Sequence, residues 1–152
     1  MKIEGQFVFD AVAPPAVWNF LTDANRIAQC LPGCEKLEQT GEGSYDMQMR
    51  FGVGAISGVF NGSIRLHDLK PTSEYQMSVG GSGAPGFVKG EGVVQLRPED
   101  AGTVLTYSGD VSAGGPIASL GQRMIYDLAA DVFARLQQLS LRFHARSSVG
   151  DT

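Results

Sequence analysis

The sequence predicts an α+β domain in which a long C-terminal helix lies across a curved, seven-stranded antiparallel sheet. Three observations carry this. Residues 44–53 alternate strictly, with Tyr45, Met47, Met49, Phe51 and Val53 on one face and Ser44, Asp46, Gln48 and Arg50 on the other, the period of two of a half-buried strand. Apolar residues from Ile117 to Phe143 recur every three or four positions, the stripe of an amphipathic helix. Glycines fall inside the strand runs, at Gly52, Gly54, Gly58, Gly62, Gly90 and Gly92, where they weaken side-chain packing and favour bends or bulges.

The elements follow in chain order. Lys2 to Asp10 alternates, with Ile3, Phe7 and Phe9 facing inward, and reads as the first strand. Pro14 and Pro15 open a short helix, because the first helical N–H groups lack intrahelical partners; Val17, Trp18 and Leu21 form its apolar face. A second short helix runs from about Asn25 to Leu31 and is ended by Pro32 and Gly33. Strands are predicted over 34–39, 44–53, 56–69, 74–79, 87–97 and 103–113. Alternation with short turns, and no helices between strands, argues for an antiparallel sheet with one solvated face. From Pro116, Ile117, Leu120, Met124, Leu128, Val132, Leu136, Leu139 and Phe143 form one stripe, with Gln122, Arg123, Tyr126, Asp127 and Gln138 opposite. About thirty residues at 1.5 Å each span roughly 45 Å, enough to cross the sheet. Strand, two short helices, six strands and a long helix is the helix-grip order. One domain over 1–147 is expected, with a tail at 148–152.

Composition narrows the function. At 152 residues and 43% hydrophobic, the chain can bury a core without disulfide or metal staples. A net charge of -4, with scattered Lys and Arg, offers no field to collect phosphates, so no nucleic-acid partner is expected. No run reaches the roughly 18 apolar residues that cross a bilayer, and no leader pattern opens the chain; the reading is cytoplasmic. Cys30 and Cys34 bracket Leu-Pro-Gly without further ligands for zinc, so they are read as structural and no metal or cofactor is expected.

Several segments invite a sharper reading. Gly81, Gly83 and Gly86 spell a formal GxGxxG, but the run opens a strand, so no helix N-terminus would receive a pyrophosphate; a mobile loop at a sheet edge is expected. Met47, Met49, Phe51, Phe60, Tyr75, Met77, Phe87, Tyr107, Leu120, Met124 and Leu128 are the candidate ligand-lining residues. Methionine adapts to varied apolar shapes, and strong sheet curvature would leave room beneath the helix. Pocket and filled core share this signature. His67 stands on a polar strand face and His144 near the chain end, neither with a partner visible in the sequence; no catalytic residue is assigned. An enzyme would draw on Tyr75, Tyr107 or Glu91 as acid or base.

The segments MKIEGQFVFDA, PPAVW at 14–18, CLPGCEKLE at 30–38, FGVGAISGVFNG at 51–62 and GSGAPGFVKGEG before the sixth strand together make the chain similar to the carbon monoxide dehydrogenase G-subunit family. That family lies within the START-like helix-grip superfamily of polyketide cyclases and lipid-transport proteins. Relative to the DAPP run of the family, Val12 and Ala13 stand as an insertion. The resemblance implies an accessory protein for a molybdenum-containing hydroxylase, serving membrane recruitment at the inner face of the cell membrane or delivery of a quinone-like electron acceptor. Longer members are expected to add a linker and a hydrophobic anchor. The leading expectation is a non-catalytic protein that binds an apolar quinone- or lipid-like molecule and meets the subunits of that hydroxylase. A cyclase- or dehydratase-like enzyme using the same cavity, and a protein adaptor with a filled core, are the alternatives.

Overall fold

The computed structural model describes residues 1–31, 33–53 and 56–150, and all of their side chains except those of Phe51, Val53, Ile56, Leu120, Gln122 and residues 144–150. Two expected lining side chains, Phe51 and Leu120, and the side chains of the expected tail therefore lie outside the described residues.

Strand β1 (Lys2–Phe9) is followed by helices α1 (Pro14–Leu21) and α2 (Ala24–Cys30). Six strands follow: β2 (Cys34–Gly41), β3 (Ser44–Val53), β4 (Ile56–Lys70), β5 (Glu74–Gly83), β6 (Gly86–Glu99) and β7 (Gly102–Gly114). A 3-10 segment (Pro116–Leu120) then leads into α3 (Gly121–Gly150). The strands form one seven-stranded antiparallel sheet in the order β1-β7-β6-β5-β4-β3-β2, and α3 packs across its inner face. This is the helix-grip architecture expected from the alternation and the long stripe.

The short helices close one end of the grip. Val17, Trp18, Phe20 and Leu21 of α1 are buried together with Phe9, Val94, Leu96 and Leu105 of the sheet. Helix α2 starts at Asp23, whose carboxylate accepts from the N–H groups of Asn25 at 3.0 Å and Arg26 at 3.4 Å. These donors have no partner inside the helix, so Asp23→Ala is expected to cost about 1 kcal/mol of stability, measurable as a lowered urea midpoint at unchanged slope. Val12 is buried, and its carbonyl accepts from the Thr103 hydroxyl at 2.6 Å. The segment before α1 is thus tied to β7.

Two expectations are corrected. The long helix does not begin at Pro116. Gly115 (φ 76°) and Gly121 (φ 80°) adopt left-handed backbone on either side of the 3-10 segment, and that break resets the helical phase. Within α3, Leu136 and Ser140 are buried, and Val132, Phe133 and Leu139 pack on the core, whereas Met124 is 40% and Phe143 39% exposed. The run GGSGAPG is not a loop. It is the end of a hairpin, with Gly81, Ser82 and Gly83 paired to Val88, Phe87 and Gly86 and Ala84–Pro85 as its turn. Pro85 is fully buried, and its carbonyl accepts from the Ile117 N–H at 2.7 Å. A Cβ on Gly58 of β4 would lie 2.9 Å from the Ala84 side chain and 3.0 Å from that of Pro85, so the tip seats against glycine backbone.

Candidate ligand-binding cavity

The inner face of the sheet has side chains missing where α3 crosses it. Gly62 and Gly81 face each other across β4 and β5, and Gly92 and Gly109 across β6 and β7. The space over the first pair is partly roofed by neighbours: a Cβ on Gly62 would meet the Met47 methyl at 3.1 Å, and one on Gly81 would meet the Phe60 ring at 3.3 Å. What remains open is an apolar chamber of about 260 Å³ bounded by Met47, Met49, Phe60, Val79, Val88 and Leu128, with Leu31, Ile117 and Ile125 on its other sides. A second chamber, about 170 Å³, abuts it through Val79 and Val88 and runs toward β1, between Met77, Val111, Tyr107, Phe133 and Ile3.

Tyr107 and Phe133 form the far wall. Their rings stack at 4.1 Å and 9°, with Phe7 at 6.3 Å from Tyr107 and 6.5 Å from Phe133. The Tyr107 ring can lie flat over β1 only because residue 5 has no side chain: a Cβ there would stand 2.6 Å from its ring edge and hydroxyl. Burial pushes the Tyr107 hydroxyl above the ordinary phenol range, with Tyr126 adding to the shift. It is a phenol, not a phenolate, at neutral pH.

Of the expected lining residues, Met47, Met49, Phe60 and Leu128 border the first chamber, and Met77 and Tyr107 the second. Tyr75, Phe87 and Met124 stand elsewhere. Tyr75 is buried at the α1 end, edge-on to Trp18 at 5.6 Å and 76°, where desolvation raises its hydroxyl pKa far up. Phe87 is 53% exposed, and a Cβ on its cross-strand partner Gly114 would collide with its ring. Met124 points outward, and its neighbour Ile125 takes the inward place. Beyond the expected set the lining includes Ile125, Phe133, Val79 and Val88, with Leu31, Ile117, Ile3 and Val111. Val79 and Val88 carry a usable signal, since each lies on the inner parity of its strand with Met77 or Val94.

Outside the cavity, Lys2, Glu4, His67, Glu91 and Asp110 line one depression on the surface of the sheet. Glu91 pairs with Ser78 and Asp110 on the outer face of the sheet. His67, which has no partner visible in the sequence, has two in the fold: Nδ1 lies 3.0 Å from Asp68 Oδ2 and Nε2 3.2 Å from Ser78 Oγ. This Ser–His–Asp chain sits on the outer strand surface, and the strand amides around Ser78 run in the ladder, so the backbone there offers no N–H pair to an oxyanion. Cys30 and Cys34 are free thiols, both pushed above the usual thiol range by burial, which disfavours the reactive thiolate. Among the described residues no three His, Cys, Asp or Glu side chains are placed to hold a metal ion, and no helix is long and apolar enough to cross a membrane.

The family profile of CoxG, the G subunit of carbon monoxide dehydrogenase, matches residues 5–139, and so covers the lining of both chambers except Ile3. The chain belongs to the CoxG family. No curated protein matches it significantly. Among solved structures, a conserved protein from Geobacillus kaustophilus is 33% identical, with a TM-score of 0.85 over 93% of this chain and 96% of that one. Ara h 8.0201 shares the fold at 11% identity, with a TM-score of 0.69 over 93% and 98% of the two chains. DynU16, a protein of the dynemicin biosynthetic locus, is 17% identical, with a TM-score of 0.56 over 90% of this chain and 46% of that one. This CoxG family member thus has the helix-grip fold along nearly its whole length.

Proposed function

We propose that the chain is a non-catalytic carrier that holds an apolar, quinone- or lipid-like molecule between α3 and the sheet. In this role it serves a carbon monoxide dehydrogenase-type molybdenum hydroxylase, by acceptor delivery or by recruitment to the membrane surface. The observation that carries the binding reading is the lining itself: two abutting chambers under α3, walled almost wholly by Met, Val, Ile, Leu and aromatic side chains. Pockets of this composition bind apolar ligands by the area they remove from water. The hydroxylase partner rests on membership of the CoxG family.

The alternative reading is a cyclase- or dehydratase-like enzyme that uses the same cavity. Acid–base catalysis needs a donor and an acceptor within reach of one substrate. Of the three residues considered for such roles, Tyr107 lines a chamber, Tyr75 is packed against Trp18, and Glu91 stands on the outer face. That dispersal favours the carrier. Mass spectrometry of organic extracts of the purified protein, with titration by short-chain ubiquinone and menaquinone analogues, tests it. Saturable one-to-one binding without turnover is expected; no saturable binding of any apolar probe would sink the reading.

A further inference from the structure

The two halves of α3 are held in the fold very differently. Its C-terminal half is clamped. Leu136 and Ser140 are buried, and Val132, Phe133, Leu139 and Leu141 pack on the core. Phe133 stacks on Tyr107 at 4.1 Å, and the Gln137 amide donates to the Val8 carbonyl of β1. The Arg26 guanidinium lies over the Phe20 and Phe143 rings, 4.7 Å and 3.9 Å from their centroids. Between Gly121 and Asp131, by contrast, no described side chain is buried and none packs on the core. The first turn holds no carboxylate and does hold Arg123, the wrong sign for the positive end of a helix. Leu120, just before it, has no side-chain acceptor to cap the free N–H groups. Gly121 is left-handed at φ 80°, and a Cβ there would meet nothing within 4 Å.

The loose half is the roof of the first chamber, through Ile125 and Leu128. The floor gives an apolar passenger no way through, because β4, β5, β6 and β7 are joined by hydrogen-bonded ladders beneath both chambers. The other covering residues are fixed: Ile117 is buried with its N–H on the Pro85 carbonyl, and Leu31 packs on the core. We propose that the first two turns of α3, from Gly121 to Leu128, are the gate of the cavity, unwinding from Gly121 to admit and release the passenger while the helix from Val132 onward stays clamped. The proposal rests on the carrier reading and adds its route. Segments that open for ligands are drawn from the least stable parts of a fold, and an uncapped helix start with few packed side chains is such a part. Opening of this kind scales entry and exit by the same factor, so it sets rates and cancels in affinity.

Stopped-flow association and dissociation of Nile red, in variants that touch no lining residue, read the gate. Met124 is 40% exposed. Met124→Gly weakens the helix at the gate by the glycine penalty and is expected to raise both rates about three- to five-fold. Arg123→Glu gives the helix start the favoured sign and is expected to lower both about two- to five-fold. Affinity should stay within about two-fold of the wild type in each variant. Gln138→Gly carries the same penalty on the exposed side of the clamped half, and both rates should stay within about two-fold of the wild type. In the ligand-free protein, the amides of residues 125–130 are expected to exchange with deuterium at least about ten-fold faster than those of residues 133–140. Equal exchange in the two halves, or rates that respond alike to Met124→Gly and Gln138→Gly, overturns the gate while the carrier reading stands. Absence of saturable binding by Nile red and by the quinone analogues instead sinks the carrier reading, and the route with it.

Discussion

Val88→Trp is expected to lower the affinity for ubiquinone and menaquinone analogues at least about 100-fold, equivalent to some 2.7 kcal/mol. Val88 borders both chambers, so an indole at this one position fills the space where they meet. The side chain points away from the outer face, where Phe87 and Lys89 stand, and any surface that meets a partner there is unchanged. Crowding the sheet in this way costs about 1–3 kcal/mol where no void receives the ring, and less here because the void is present. Titration of the variant, beside a denaturation curve that verifies folding, reads the two effects separately. Retained affinity in a folded variant would place the ligand outside the cavity. Co-purification with a hydroxylase that survives the substitution, while analogue binding is lost, would separate docking from carriage.

Gly86→Ala is expected to cause a large loss of stability, about 3 kcal/mol, seen as a fall in melting temperature of roughly 6–12 °C for a chain of this size. Gly86 has φ 121°, a region that L side chains rarely enter, and a Cβ there would lie 2.2 Å from the Gly114 carbonyl oxygen and 3.2 Å from the Ile117 side chain. Neither the carbonyl nor the docked 3-10 segment can withdraw without opening the β5–β6 tip. Gly90→Ala is the control. Its Cβ would make ordinary contacts, 3.4 Å to Val111 and 3.5 Å to the Asp110 carbonyl, and its effect should stay within about 1 kcal/mol. Similar losses in both variants would contradict the backbone argument.

The architecture is readable in the sequence because period-two and period-3.6 patterns report which face of an element is buried, and β1 in burial and β3 in sequence follow the period of two closely. Placement along an element is less readable. Tyr75 and Met77 share one face of β5, yet α1 covers the first and α3 the second; alternation carries no information about which helix lies above. Met124 reads as inward only if the spacing of Ile117 and Leu120 continues through Gly121, whose left-handed backbone ends one helix and starts another. The position of Phe87 is legible, since it has the parity of Lys89 and Glu91, not that of Val88. Tyr107 faces inward by alternation with Leu105 and Gly109, but its stacking on Phe133 joins elements far apart in the chain, and no local pattern encodes it.

The chambers exist by subtraction. Their floor is strand backbone at Gly62, Gly81, Gly92 and Gly109, and the wall above is assembled from whichever large side chains lean over those gaps. A lineage with this scaffold can therefore resize its cargo one methyl group at a time: Gly90, where an added carbon finds only ordinary contacts, takes the first such step without disturbing the hydrogen-bonded frame. The volume available to a passenger and the integrity of the vessel are set by different positions, so each can drift in evolution while the other is held.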